Sequence, residues 1–67
     1  MASITANGES FEVALPCSLE AFLVQRDLLP KSVVVERNGE AVAPSEFASI
    51  ELGDGDSLEI VRIVAGG

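Results

Sequence analysis

The sequence predicts a single α+β domain in which one helix packs on a mixed β-sheet. Two Asn-Gly pairs each separate two short segments, which is typical of β-hairpins with two-residue turns. Between the hairpins lies a segment with apolar residues at helical spacing, and an alternating segment closes the chain. A length of 67 residues leaves room for one domain with one small core.

The first hairpin is expected to turn at Asn7-Gly8, because a type I′ turn requires positive φ at both central positions. Its strands are predicted at residues 3–6 and 10–15, and Pro16 ends the second strand because it cannot donate to a sheet ladder. Alternation assigns five side chains of this hairpin to the inner face: Ile4, Ala6, Phe11, Val13 and Leu15.

A helix is expected over residues 18–27. Ser18 is its predicted N-cap, and Glu20 lies in the first turn, where the helix dipole favours negative charge. The residue before Pro30 disfavours helical backbone, so the helix should end upstream of it. The apolar face of this helix consists of Leu19, Phe22 and Leu23.

A second hairpin follows the helix. Its first strand is the β-branched run at residues 33–35, which is interpreted as a buried strand. Asn38-Gly39 is its turn, and a short strand is expected at residues 40–43.

The rest of the chain completes the sheet. A helical turn at residues 44–47 should place Phe47 in the core, and a tight surface turn at residues 53–56 precedes a last strand at residues 57–64. The order is β-β-α-β-β-β, with the first and last strands parallel at the centre of a four- to five-stranded sheet. This arrangement predicts a β-grasp, or ubiquitin-like, roll.

The net charge of the chain indicates which classes of molecule it can bind. Eleven Asp and Glu against four Lys and Arg give a net charge of −7. A nucleic-acid binder needs a basic face to displace phosphate counterions, and anionic membranes attract basic segments, so neither partner is expected. A protein with a basic docking surface is favoured.

Residue types argue against catalysis and bound metal. Histidine is absent and Cys17 is the single cysteine, so no activated nucleophile, disulfide or cysteine-based metal site is expected. Cys17 is interpreted as a partly buried turn residue, and Asp54 and Asp56 as a solvated turn with too few oxygen ligands for an ion. We expect a monomeric cytoplasmic protein, without a signal sequence or membrane span, that is not an enzyme.

The last strand departs from one-sided alternation. Val61 and Ile63 share the parity of Glu59, which should face outward. Either the chain itself covers both faces of this strand, or these residues form an exposed apolar patch on which a partner docks. The sequence leaves both alternatives open.

Ala65-Gly66-Gly67 is expected to form a short tail, residues 65–67, after a domain of residues 1–64. Glycine lacks a Cβ, so such a tail can pass through a narrow channel and present the Gly67 carboxylate as a reactive group. ATP can activate a carboxylate as an acyl-adenylate, but the sequence shows neither a metal site nor an anion cradle for this step. An activating enzyme would have to supply them.

Several motifs occur together along the chain. They are Val33-Val34-Val35-Glu36-Arg37-Asn38-Gly39-Glu40, Val42, Pro44, Ser45-Glu46-Phe47, Asp54-Gly55-Asp56, Leu58-Glu59-Ile60-Val61 and the closing Gly66-Gly67. With the early Asn7-Gly8-Glu9 turn, this set resembles the ThiS-type sulfur carrier proteins of thiamine biosynthesis over essentially the whole chain. Members often have a third glycine where this chain has Ala65.

The resemblance implies that an activating enzyme related to those of ubiquitin adenylates Gly67 with ATP and magnesium. Sulfur drawn from cysteine by a desulfurase then gives a C-terminal thiocarboxylate, which donates sulfur to thiazole synthase. No cofactor is bound by the carrier itself. Gly66 and Ala65 would thread the tail into these partners. The residues expected near the docking surface are Val61, Arg62, Ile63 and Val64.

Three other functions stay open at this point. They are the small sulfur-carrier subunit of molybdopterin synthase, a ubiquitin-like modifier conjugated to lysines, and a plain binding module with an incidental diglycine end. Arg62-Ile63-Val64 favours the thiazole branch over the first of these, because the molybdopterin subunits tend to have an aromatic or proline residue there. Deletion of Gly67 separates the binding module, which tolerates the deletion, from the others.

Overall fold

The computed structural model describes residues 1–64 of the chain. Five strands and one α-helix follow one another in the predicted order. They are β1 (Ala2–Ala6), β2 (Glu9–Val13), α1 (Leu19–Gln25), β3 (Val33–Arg37), β4 (Glu40–Val42) and β5 (Ser57–Arg62), with single 3₁₀ turns at Pro30–Ser32 and Pro44–Glu46.

The five strands form one mixed sheet in the order β2-β1-β5-β3-β4. β1 and β5 are parallel, and the other neighbours are antiparallel. The β-grasp arrangement is therefore confirmed, including the parallel pairing of the first and last strands. β5, the last strand of the described chain, is therefore the central strand of the sheet.

Both predicted Asn-Gly turns are confirmed. Asn7 and Gly8 have φ of 51° and 83°, and Asn38 and Gly39 have φ of 52° and 86°. These are the positive values that a type I′ turn requires, and its twist matches that of the flanking strands. Each turn brings the two residues that flank it into register as the first pair of its hairpin.

The core lies between one face of the sheet and α1. Ser18 caps the helix as predicted, since its Oγ accepts a hydrogen bond of 3.0 Å from the Ala21 N–H. The predicted plug Phe47 is buried beside the helix, whose Glu20 N–H donates to the Phe47 carbonyl oxygen. The largest side chains of this core are Ile4, Leu19, Phe22, Leu23, Val33, Val35, Phe47 and Leu58.

Several elements are shorter than the sequence predicts. β2 ends at Val13, which pairs with Ala2 at the start of β1, so Leu15 has no strand opposite it and is 47% exposed. The helix ends at Gln25 because Asp27 adopts a positive φ of 61°, which stops helical hydrogen bonding. The predicted ends of the last two strands are likewise shortened, β4 ending at Val42 and β5 at Arg62.

The β-branched run is a strand, but its burial is one-sided. Val33 and Val35 face the core, whereas Val34 is 52% exposed. The prediction of a fully buried strand is wrong for Val34, because the helix covers one face of the sheet and alternate side chains point to the other. Within residues 1–64, no helix is long and apolar enough to cross a bilayer.

Candidate functional site

An apolar patch lies on the outer face of the sheet, where β5 approaches its end. Val61 of β5 is 63% exposed and pairs directly with Val34 of β3. Ile63 and Val64, which follow β5, are also exposed. We call Val34, Val61, Ile63 and Val64 the terminal patch.

The exposure of Val61 excludes the alternative in which residues 1–64 cover both faces of the last strand, and docking of a partner there stays a prediction. Leu58 and Ile60 turn towards the helix and are 1% and 9% exposed, while Val61 turns away and stays open. The described part of the chain therefore covers one face of β5 and leaves the other uncovered. Neighbouring exposed apolar side chains of this kind are typical of surfaces that bind another protein.

An acidic pair borders the terminal patch. Glu36 of β3 lies directly opposite Glu59 of β5, two residue pairs away from the Val34–Val61 pair in the same ladder. Both carboxylates are exposed. Like charges directly opposite one another in a sheet repel, so a cation from a partner would be attracted to this position.

Arg62 does not belong to the terminal patch. It shares the parity of Ile60 and lines a cavity on the helix side of the sheet, together with Arg26 and Phe11. The structure therefore divides the four predicted docking residues of the last strand between two faces. Val61 lies on the outer face and Arg62 lies at the cavity. Ile63 and Val64 follow β5, and Ile63 also lines a second cavity together with Leu28, Val33 and Arg62.

The start of β5 is held by a buried carboxylate. Asp56 is 8% exposed and accepts hydrogen bonds from the Gly53 N–H at 2.8 Å, Arg37 Nε at 3.0 Å and Asn38 Nδ2 at 3.1 Å. Asn38 Oδ1 in turn accepts from the Ser57 N–H at 2.9 Å. This network joins the second hairpin turn to the first residue of β5.

The same contacts set the ionisation of Asp56. Burial raises the pKa of this carboxyl, but the hydrogen bonds from Gly53, Asn38 and Arg37 and the positive charge of Arg37 outweigh burial. The net effect holds the pKa below its ordinary value of 3.8, so Asp56 is ionised at neutral pH. The interpretation of this residue as part of a solvated turn is wrong, because its carboxylate organises the turn from inside.

A second side chain holds the middle of β5. The Asn7 amide donates to the Ile60 carbonyl oxygen at 2.9 Å and accepts from the Ile60 N–H at 2.7 Å. The side chain therefore continues the β1–β5 ladder after β1 has turned away. Asn7 and Asp56 therefore hold β5 in its position and direction within the sheet.

The remaining candidates have structural contacts. Cys17 is buried, and its Sγ donates to the Ser18 carbonyl oxygen at 3.5 Å, in agreement with a structural turn residue. Asp54 Oδ1 accepts a hydrogen bond of 2.7 Å from the Ser3 N–H. Among residues 1–64, no group of three or more metal-ligating side chains occurs.

The predicted tail lies outside the described residues. This applies to Gly67 as the modified residue, to Gly66 and to Ala65. The domain boundary at residue 64 and the roles of these three residues stay predictions from the sequence.

Val34 is the site residue that the sequence analysis missed. Its neighbours in the valine run suggested burial, but the pairing register puts it beside Val61 on the outer face. The exposure of Val34 could have been predicted from the β-grasp order, because in that fold the helix covers only one face of the sheet. Alternation along β3 then exposes every second valine.

Comparison with known proteins adds a family and a fold. The ThiS family model matches residues 3–67. The sequence is 38% identical over 64 residues to a thiazole synthase from Paramagnetospirillum magneticum, a match that covers 96% of this chain and 20% of that protein's length. It is 38% identical over 50 residues to the sulfur carrier protein ThiS of Bacillus subtilis, which covers 75% of this chain and 76% of that protein.

The fold has a counterpart among solved structures. The crystal structure of the thiamine biosynthesis protein ThiS from Geobacter metallireducens superposes with a TM-score of 0.82 at 28% identity. The alignment covers 97% of this chain and 99% of that chain. The similarity therefore extends over the whole β-grasp domain.

Proposed function

The chain belongs to the ThiS family of sulfur carrier proteins, and from this premise we propose that it carries sulfur on Gly67 for the thiazole of thiamine. The single observation that carries the proposal is the match of the family model, which extends to Gly67 and includes the diglycine. The exposed terminal patch on the strand that leads to this tail supports it.

The proposed chemistry has two steps. The Gly67 carboxylate attacks the α-phosphorus of ATP, which gives an acyl-adenylate and releases pyrophosphate. In the second step, a persulfide that a desulfurase forms from cysteine displaces AMP to give an acyl disulfide. A thiol reductant then cleaves the S–S bond, is itself oxidised to a disulfide, and leaves the thiocarboxylate on Gly67. The activating enzyme supplies the magnesium and the catalytic groups, so this chain acts as a protein co-substrate and not as an enzyme.

The proposed acceptor of the sulfur is thiazole synthase. A protein with that name contains a region similar to 96% of this chain within one polypeptide. Covalent connection gives two domains a high effective concentration for each other, which supports a partnership between such a carrier and that enzyme. We place the carrier in the cytoplasm, where ATP is available for its activation.

In this proposal the described residues act by docking and presentation. The terminal patch supplies apolar contact area, and the neighbouring pair Glu36 and Glu59 favours a partner with a basic rim. β5 is paired with a strand on each side, so a docked partner meets a last strand of fixed position. Docking and chemistry are thus assigned to separate parts of the chain.

The test is the intact mass of the protein after incubation with ATP, magnesium, the candidate activating enzyme, cysteine, a desulfurase and a thiol reductant. We expect a gain equal to the replacement of one oxygen by one sulfur, mapped by fragmentation to Gly67. Cys17→Ser should show the same gain, because the sulfur is carried on the C-terminus, and deletion of Gly67 should abolish it. No gain, while a control carrier is loaded in the same mixture, would contradict the proposal.

A further inference from the structure

A slot of about 390 Å³ opens on the helix side of the sheet, at the place where β1 has turned away and β5 continues. One wall is β5 with Ile60 and Arg62, and the opposite wall is β2 with Phe11. The end of the helix closes the slot from above with Arg26 and Leu28.

Within residues 1–64, the β5 wall of this slot presents the backbone groups of Arg62 without a neighbouring strand. Ile63 N–H donates to the Ser32 carbonyl oxygen on the β3 side, so the alternation of an antiparallel ladder turns the backbone of Ile60 and Arg62 towards β1. The Asn7 side chain satisfies Ile60. Arg62 pairs with Val33 at a position where, by this alternation, its N–H and carbonyl oxygen point away from β3. The pairing of β1 with β5 ends at Ala6 and Leu58, so within residues 1–64 no strand lies opposite these two groups.

The slot also concentrates positive charge on an acidic protein. Arg26 and Arg62 are two of the four cationic side chains in a chain of net charge −7, and both line this slot. In the described residues, neither guanidinium lies within 4.0 Å of a carboxylate, whereas Arg37 is paired with Asp56. Glu9 is the single acidic residue of the lining.

Arg26 is held in place at the slot. Its guanidinium carbon lies 4.2 Å from the centroid of the Phe11 ring, a distance typical of a cation–π contact. Phe11 in turn packs edge-to-face on the buried Phe22, with ring centroids 5.9 Å apart. The positive charge is therefore fixed beside the open strand edge and does not depend on a partner for its position.

We propose that this slot binds an extended acidic segment of a partner protein. The segment pairs with β5 at Arg62 as an added strand and places a carboxylate against Arg26 and Arg62. The backbone groups of Arg62 select an extended peptide, and the two guanidinium groups select carboxylates along it. This surface is separate from the terminal patch on the opposite face, and its recognition does not depend on the sulfur chemistry.

The probe is a synthetic peptide, acetyl-Val-Glu-Val-Glu-Val-amide, titrated into the ¹⁵N-labelled protein and followed by NMR. We expect amide shifts centred on Arg62 and Asn7 and a shift of the Arg26 side-chain Nε–H. The matched peptide with Gln in place of Glu should bind roughly fivefold more weakly, because hydrogen bonds to a charged acceptor are stronger than to a neutral one.

Two protein variants distinguish peptide binding at the slot from a general effect of the protein's net charge. Arg62→Gln should weaken binding of the Glu peptide by roughly fivefold. Lys31→Gln removes the same charge outside the slot and should leave binding unchanged. Equal binding of the two peptides, equal weakening by both variants, or an absence of shifts at Arg62 would each overturn the proposal. Concentration-dependent shifts at Arg62 in the free protein would overturn it in favour of a second copy of this chain.

Discussion

Asp56 shows how one side chain can organise two loops. Its carboxylate accepts three hydrogen bonds, from the backbone of Gly53 and from the side chains of Arg37 and Asn38. A buried carboxylate is tolerated when its oxygens are paired and an opposite charge lies close, and both conditions hold here. Asp56 therefore joins the second hairpin to the start of β5.

We predict that Asp56→Asn lowers the free energy of unfolding at pH 7 by about 2 kcal/mol. The amide carries no negative charge, and its NH₂ group would face the N–H donors that now bond to the carboxylate. Chemical denaturation measures the change. The matched control is Asp54→Asn, which removes the same charge but keeps an oxygen for the Ser3 N–H and should cost little. Equal losses in the two variants would contradict the role of the buried network.

The same residue predicts a pH dependence. The pKa of Asp56 is lower in the folded protein than its ordinary value of 3.8, so its contribution is complete above pH 3.8 and is lost as the pH falls through the folded pKa. The stability difference between the natural protein and Asp56→Asn should therefore shrink as the pH falls below 3.8. A difference that stays constant from pH 7 to strongly acidic solution would argue against this linkage.

At the scale of elements, the pairing of β1 with β5 depends on one side chain as well as on the backbone. The backbone register of these two strands covers two residue pairs, which is short for the central pair of a sheet. The Asn7 side chain extends it by bonding both backbone groups of Ile60. Asn7 therefore has two roles. Its positive φ allows the type I′ turn, and its side-chain amide extends the parallel ladder.

Asn7→Gly separates these two roles, because glycine keeps the positive φ of the turn and removes the amide. We expect a loss of about 2 kcal/mol in the free energy of unfolding, from two hydrogen bonds and greater freedom of the unfolded chain. Native-state hydrogen exchange should show faster exchange of the Ile60 amide than of Val61, which pairs with β3. Uniform acceleration along β5 would instead indicate global destabilisation alone.

At the scale of the whole molecule, the two faces of the sheet present different side chains to a partner. The helix side contains the core and the slot at Arg62, and the outer side presents Val34 and Val61 beside Glu36 and Glu59. Since β5 is central, both surfaces lie next to the strand that leads to the tail. Partners on either face would therefore be held close to the C-terminal end of the described chain.

The double variant Val34→Thr/Val61→Thr tests the outer face. Threonine keeps the β-branched shape that suits a strand but makes the terminal patch polar, so we expect sulfur loading by the activating enzyme to slow by about fivefold. Thermal unfolding should show that the fold is retained. Val24→Thr is the matched control, since Val24 is 58% exposed on the helix, and it should load at the normal rate. Slowing by the control to the same extent would exclude a specific role for the terminal patch.

Local chemistry determined most of this fold from the sequence. The two Asn-Gly turns, the Ser18 cap and the helical spacing of Leu19, Phe22 and Leu23 depend on residues close in sequence, and each is present as predicted. The closing diglycine and its resemblance to sulfur carriers were also readable at this level. Gly67 itself remains a prediction, because it lies outside the described residues.

Other features required residues distant in sequence to meet. Val34 is exposed because the helix covers only the opposite face of the sheet, and Asp56 is buried because Arg37 and Asn38 reach it from the second hairpin. Arg26 and Arg62 share a slot only because the pairing of β1 with β5 ends at Leu58, whereas β5 continues to Arg62. Periodicity assigns a side chain to a face of its own element, but the tertiary structure decides which faces are covered and which charges become neighbours.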